Sequence, residues 1–409
     1  MHVCMFTDSF LPYCSGVTFS VLNQATELAK RGHRISIFRP NPGRFISDET
    51  VDLPSTVRLY DVPFALSVRK VPKLRVTLPS LVSSVFRVRR LKPDVVHMST
   101  EWGCGWEGLI ASKLLRLPTV GTFHTFFADP GYLKSFGLPS FRLIQSIMWR
   151  YSVFFYNSCK TVTSPSHAVK QSLIDHGFKW NPIVIPNGIE APEFVDYTQI
   201  ARRRKELQIN GPSFMYFGRL APEKSLELLV QAFAKVVKRR RRAKLLMVGN
   251  GHSEEGLKQL ARELGIEKSI IFFGYVPHEQ LILQNIPLLA DTFVTPSKTE
   301  NQPMSILEAM SFGLPVVGPA AKGIPELVTH EQNGLLFDTD SVEGLAKSML
   351  QMANRPKMRK RLGRAALATA SDFMMNRVVD QLEQVYTDAI TRKTGTPPKT
   401  PTPDNANAA

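Results

Sequence analysis

No run of about 18 apolar residues free of charge occurs anywhere in this chain, so no stretch reads as a helix able to span a bilayer. Cysteine is scarce, with four in 409 residues. Cys4, Cys14, Cys104 and Cys159 show neither metal-ligand nor redox spacing, so reduced thiols of a cytosolic protein are expected. Residues 2–7 already look like a strand, with no basic and apolar leader before them, and secretion is not expected. Acid is short relative to base: 35 Asp and Glu against 51 Lys and Arg, a formal net charge of +16. A surface of that sign attracts nucleic acid or an anionic membrane leaflet.

What is present is organised around residues 297–310, Ser-Lys-Thr-Glu-Asn-Gln-Pro-Met-Ser-Ile-Leu-Glu-Ala-Met. Residues 291–296 read as a short apolar strand, and Pro303 suits the first position of a helix, where its missing N–H costs nothing. The strand therefore hands over to a helix through a polar loop. Unpaired N–H groups at such a helix start lie at the carboxyl end of a sheet strand, where open α/β sheets hold phosphate-like anions. Glu300 lies in the loop and Glu308 in the second helical turn. Carboxylates repel phosphate, so beside a diphosphate they make sense as acceptors for hydroxyl groups. A nucleotide sugar supplies both, with ribose and hexose hydroxyls flanking its diphosphate.

The rest of the chain repeats strand then helix. Residues 2–7 (strand), 8–16 (loop), 17–31 (helix) and 34–39 (strand) open it, followed by strands at 93–97, 118–123, 161–166 and 183–189 and a helix at 168–176. The pattern restarts at 213–217, with a helix at 226–237 and strands at 244–248, 270–274 and 316–318. A chain this long exceeds one hydrophobic core. The alternation predicts an α/β protein with parallel, doubly wound sheets. A last helix is expected over 372–391, and residues 394–409, rich in Pro and Thr and without apolar anchors, read as a disordered tail. Asp338 and Asp340 invite a metal reading, but they precede a helix and are read as caps.

Glu300 and Glu308, separated by seven residues and followed by Ala309-Met310 and by Gly-Leu-Pro-Val-Val at 313–317, resemble the signature of retaining glycosyltransferases of the family 4 and group 1 type. That family includes glycogen and sucrose synthases, bacterial phosphatidylinositol mannosyltransferases and diacylglycerol glucosyltransferases. Gly-Arg-Leu-Ala-Pro-Glu-Lys at 218–224 matches it too. The resemblance implies the GT-B fold, two Rossmann-like domains facing across a cleft: 1–187 for the acceptor, 188–371 for the nucleotide sugar, and a helix at 372–393 bracing the first domain. It implies transfer of a hexose with retention from a nucleotide diphosphate sugar, UDP-glucose-like by preference and GDP-mannose as the alternative, with no metal and no cofactor. By resemblance Arg219 and Lys224 neutralise the leaving diphosphate, doing the work of a metal with a planar fork of donors and a point charge. Glu308 would bind ribose hydroxyls, Glu300 the sugar and its anomeric orientation, and His124 the developing cation. Gly16 would let backbone approach the diphosphate, Val276 would lie opposite the base, and Asn301, Gln302 and Met304 would complete the donor site. The chain departs from the family at Asn301-Gln302-Pro303, where Gly-Phe-Gly or similar is common; Pro303 cannot donate, which leaves the identity of the sugar open.

Between residues 68 and 92, Arg69, Lys70, Lys73, Arg75, Arg87, Arg89, Arg90 and Lys92 interleave with apolar residues and no acid interrupts them. That is the composition of an amphipathic helix on anionic lipid, with an ordinary solvated face as the alternative. A second apolar stretch runs through Phe126, Phe127, Tyr132, Leu133, Phe136, Phe141, Ile144, Ile147, Met148 and Trp149. The basic blocks at 202–205 and 239–242 lack interleaved aromatics to stack bases, and nucleic acid is set aside as a partner. The expected acceptor is thus a membrane lipid such as diacylglycerol or a glycolipid, met by a cytoplasmic protein peripheral on the inner face of the cell membrane. A soluble or lipid-linked saccharide is the alternative acceptor. A nucleotide-sugar epimerase and a non-enzymatic binder of anionic surfaces rank below both.

Overall fold

A computed structural model describes residues 1–45, 53–68, 71, 73–78, 83–124, 130, 133, 139, 141–190, 192, 194–396 and 398. The chain divides into two compact units, Met1–Gly188 with Met375–Ala409, and Ile189–Met374.

In the first unit the strands are β1 (His2–Phe6), β2 (Arg34–Pro40), β3 (Val57–Val62), a small hairpin of β4 (Ala65–Ser67) and β5 (Arg75–Thr77), β6 (Val95–Met98), β7 (Thr119–Thr122), β8 (Thr161–Ser164) and β9 (Ile183–Val184). The main sheet runs β3-β2-β1-β6-β7-β8-β9, all parallel. Every residue of β1 is buried, as expected where helices cover both faces of a parallel sheet. The order reverses between β1 and β6, which creates a switch point where the loops after those strands diverge.

The helix Met375–Thr394 belongs to this unit. Its Val378, Val379, Leu382 and Tyr386 join the core that contains Val3, Ile35 and Val95. Polar contacts fix it further: Arg31 Nη1 reaches Asp380 at 2.6 Å and Glu383 at 2.7 Å, and the Tyr386 hydroxyl meets His97 Nδ1 at 2.7 Å. The expected helix over 372–391 starts later, because Ser371–Phe373 form a separate tight turn. The strand expected over 183–189 stops at Val184. Of the expected tail, only 394–396 and 398 are among the described residues.

The second unit carries β10 (Ser213–Phe217), β11 (Lys244–Val248), β12 (Ile270–Gly274), β13 (Thr292–Val294), β14 (Val316–Pro319) and β15 (Gly334–Phe337). They form one parallel sheet ordered β12-β11-β10-β13-β14-β15. Here the order reverses between β10 and β13. Phe214, Phe233, Met247, Val294 and Val317 lie in one buried core.

One expectation needs correcting. The basic stretch 68–92 is not a single helix: Arg75–Thr77 is a strand paired with Ala65–Ser67, and only Ser83–Leu91 is helical among the described residues. Val85, Val88 and Leu91 of that helix pack inward on the core, so its exposed side is cationic and carries a lone Phe86. Arg69, Lys70, Leu81 and Val82 lie outside the described residues, as do Phe126, Phe127, Tyr132 and Phe136; Leu133 is buried. No helix among the described residues is long and apolar enough to cross a membrane.

Burial holds the His97 imidazole at a pKa of about 3, so it is neutral, with Tyr386 on one ring nitrogen and Thr122 Oγ1 at 2.7 Å on the other. Tyr386→Phe leaves a buried ring nitrogen without that partner, and urea unfolding should show a loss of about 1–3 kcal/mol. An unchanged midpoint would mean that apolar packing alone seats the helix.

Candidate active site

In the second unit the two strands at the reversal, β10 and β13, hand over to the loops that carry Arg219, Lys224 and Glu300. The loop after β10 is tight. Gly218 takes φ 144° and donates to Val248 O at 3.0 Å, and a side chain at Gly249 would run into the Gly218 carbonyl. The loops after β10 and β11 therefore abut with no room for a β-carbon between them. Lys224 ends the short turn Pro222–Lys224, and its Nζ meets Glu300 Oε1 at 2.6 Å. Arg219 pairs with the buried Glu223 at 2.5 Å while 40% of its own side chain stays exposed. Thr299 Oγ1 adds a bond to Glu223 O at 3.4 Å, tying the two loops together. Burial opposes ionisation of Glu300, but the Lys224 charge outweighs it and holds the carboxyl below its ordinary value. Glu300 is thus an ionised acceptor beside a cation.

Glu308 projects from the helix Met304–Ser311 and is 6% exposed. Pro303 is the cap of that helix, with extended backbone, rather than its first residue. Its carbonyl accepts from Ile306 N at 3.1 Å, so proline opens the helix as an acceptor. His278 Nε2 lies 2.7 Å from Glu308 Oε1. Burial opposes charging of His278, yet Glu308 first, then Glu190 and Glu279, raise its pKa. The sequence reading missed His278. A histidine at the start of the helix His278–Leu283 carries no signal of its own, and only the fold sets it against Glu308. Gln302 and Met304 are buried, and Asn301 and Val276 half-buried. Gly323 N donates to Glu300 O at 3.1 Å, and no β-carbon would fit at Gly323 against the Asn301 carbonyl.

The other two expected residues belong to the first unit. His124 follows the carboxyl end of β7, and burial lowers its pKa to about 4. Gly16 is the exposed first residue of the helix Gly16–Lys30, capped by Ser15. A β-carbon there would meet nothing within 4 Å. Two carboxylates at this unit's switch point were also missed. Asp8 accepts from Cys104 N at 3.0 Å and Thr100 Oγ1 at 2.9 Å, and Glu101 accepts from Ser152 Oγ at 2.9 Å and Tyr156 OH at 3.2 Å. Burial pushes Glu101 up to about 7. The structure thus brings Arg219, Lys224, Glu300 and Glu308 to one end of the second sheet, while His124 and Gly16 stand at the carboxyl end of the first.

The reading of Asp338 and Asp340 as caps is corrected. Ser341 caps the helix Val342–Asn354 by accepting from Gly344 N, and Asp340 instead pairs with Lys298 at 2.6 Å.

Two outcomes follow from these contacts. Gly323→Ala must displace the backbone at 300–301, and a displacement of about 1 Å at a reacting group costs up to about 100-fold in kcat/KM; steady-state kinetics beside an unfolding curve will separate this from lost stability. The raised pKa of His278 means that its pairing stabilises fully below its unfolded value of 6.5 and is lost as pH rises through the higher folded value. The stability difference between wild type and His278→Gln should therefore shrink in alkaline buffer. A difference independent of pH would leave only packing.

Comparison with known proteins fits this arrangement. The family model for Glycosyltransferase Family 4 matches residues 14–191, and that for Glycosyl transferases group 1 matches residues 199–369. An alpha-monoglucosyldiacylglycerol synthase of Acholeplasma laidlawii is 26% identical over 398 residues, 95% of this chain and 98% of the relative. A GDP-mannose-dependent alpha-mannosyltransferase of Corynebacterium glutamicum is 27% identical over 403 residues, 95% of this chain and 89% of the relative. Among solved structures, sucrose-phosphate synthase from Thermosynechococcus elongatus matches with a TM-score of 0.77 and 17% identity over 96% of this chain and 99% of that one. Anabaena HepE in complex with UDP matches at 0.75 and 21% identity, over 95% and 99%. With a parallel Rossmann-like sheet in each unit and family matches over both, the chain belongs to the GT-B glycosyltransferases of the family 4 and group 1 type.

Proposed function

We propose that the protein transfers a hexose from a nucleotide diphosphate sugar, UDP-glucose by preference, to a membrane lipid such as diacylglycerol or a glycolipid, with retention of anomeric configuration. The observation that carries this is the pairing of Lys224 with Glu300 at the sheet reversal, with Arg219 and Glu308 on the same end. An incoming diphosphate competes for Lys224 and Arg219 and frees Glu300 to accept from sugar hydroxyls. Glu308, oriented by His278, is suited to ribose hydroxyls. The acceptor hydroxyl attacks the anomeric carbon from the face the diphosphate leaves. The bond to the diphosphate breaks as the glycosidic bond forms, and a diphosphate oxygen takes the proton, so no second carboxylate serves as nucleophile. Arg219 and Lys224 stabilise the leaving charge without a metal. A neutral His124 suits a developing positive charge, which an imidazolium would oppose.

Support for a lipid acceptor comes from the Acholeplasma relative, and for UDP over GDP from that relative's glucosyl product and the UDP held by HepE. A peripheral site on anionic lipid at the cytoplasmic face is supported by exposed Arg87, Arg89 and Arg90 beside Phe86, and by Phe64, Leu66 and Leu78 on the outer face of the β4–β5 hairpin. The helix Arg142–Asn157 adds exposed Leu143, Ile147 and Phe154 together with Arg142 and Arg150 and contains no acid.

The test is turnover of UDP-glucose, with GDP-mannose in parallel, on vesicles of anionic lipid containing diacylglycerol, against buffer containing soluble saccharides. Lipid-dependent release of UDP with an α-linked glycolipid product is the expected result, and Glu300→Gln and Lys224→Ala should each lower kcat by about 100-fold or more. Activity confined to soluble saccharides would overturn the lipid acceptor. A preference for GDP-mannose would overturn the donor.

A further inference from the structure

The first unit has a second polar end. A cavity of about 230 Å³ opens where β7 and β8 begin, at the opposite end of these strands from His124. Five cations line it: Lys113, Arg116, Lys160, Arg392 and Lys393. Its floor includes Thr119 and Thr161, and no acid takes part in the lining. The cavity is roughly fifteenfold larger than a single water needs.

Three observations describe this cavity, whose five cations are all exposed at its mouth while Thr119 and Thr161 are buried. Its cations come from three separate parts of the fold: the end of the helix Gly103–Leu114, the turn before β8, and the last turn of the helix Met375–Thr394. Folding, not sequence proximity, gathers five like charges, and their mutual repulsion opposes that gathering. Lys235 pairs with Glu343 at 2.5 Å and Lys298 with Asp340 at 2.6 Å. Among the described residues none of these five has an ion-pair partner. Finally, Arg116 holds φ 54° just past the end of its helix. That left-handed position is one where glycine is usual, and Lys92 and Gln208 adopt it as well.

We propose that this cavity binds a phosphate group carrying two negative charges, in addition to the donor diphosphate handled by the second unit. The chemistry is specific to that class. Two arginines offer planar forks, three lysines offer point charges, and threonine hydroxyls at the floor donate to the remaining oxygens. Carboxylate, with one charge and two oxygens, would leave most of these donors unmatched. The same phosphate chemistry is presented by a phospholipid headgroup and by free phosphate.

The test uses the full chain carrying Arg219→Ala and Lys224→Ala, so that the second unit's cations cannot account for binding and the result is independent of whether the proposed transfer is correct. Binding of inorganic pyrophosphate is measured by calorimetry at constant ionic strength against sodium chloride, and binding to phosphatidylcholine vesicles with and without a phosphatidic acid fraction by co-sedimentation. Adding Arg116→Gly and Lys160→Ser should weaken pyrophosphate binding by about tenfold or more. Because glycine suits φ 54°, Arg116→Gly should leave the melting temperature unchanged or raised, so lost binding cannot be ascribed to unfolding. If vesicle binding falls in parallel, the phosphate is a headgroup; if only pyrophosphate binding falls, it is free phosphate. Equal binding by parent and variant in both assays, or pyrophosphate binding no tighter than chloride at matched ionic strength, would overturn the proposal.

Discussion

The ion pair between Lys224 and Glu300 is the contact on which the candidate site of the second unit depends. Its members are 76 residues apart in sequence, and each side chain is less than one-fifth exposed. A carboxylate this sheltered would gain a proton without a cation beside it, and a proton would cost it the capacity to accept from sugar hydroxyls. Lys224 keeps Glu300 charged, and Glu300 holds Lys224 at the carboxyl end of the sheet. The same logic recurs at His278 and Glu308, where the carboxylate raises the histidine's pKa against the burial that lowers it. Both acids are therefore partnered by basic side chains within the second unit.

Parallel sheets make this economical. A strand buried on both faces has no side chain free for chemistry along its length, so reactive groups collect in the loops beyond its carboxyl end. Where the strand order reverses, two such loops diverge and leave space between them. In the second unit those loops follow β10 and β13, and Gly218, Gly249 and Gly323 let backbone segments approach without β-carbons intervening. In the first unit the reversal falls between β1 and β6, and the buried acids Asp8 and Glu101 hold the loops there.

The excess of positive charge divides in a way that composition alone could not show. Part of it is consumed in structure, as where Arg31 bridges Glu27, Asp380 and Glu383 to seat the last helix. Part forms the exposed row Arg87, Arg89 and Arg90, whose helix spends its apolar side on the core. The remainder includes the cluster around Lys160 and Arg392, assembled from segments more than 200 residues apart.

The alternation of strand and helix, the two sheets, the placement of Arg219, Lys224 and Glu300 in loops at strand ends, and that of Glu308 in the helix after the last of those loops were legible in the residues. Each depends on local patterning: apolar runs of strand length, a proline before a helix, a polar loop between them. Boundaries slipped where competing caps decided them, as at Pro303, at Ser341 in place of Asp338 and Asp340, and at the late start of the last helix at Met375. His278, Asp8, Glu101 and the five cations at the foot of β7 and β8 were not legible. A histidine or a lysine has no local pattern that names its partner, and its role arises only when burial changes the cost of its charge and the fold supplies, or withholds, the opposite one.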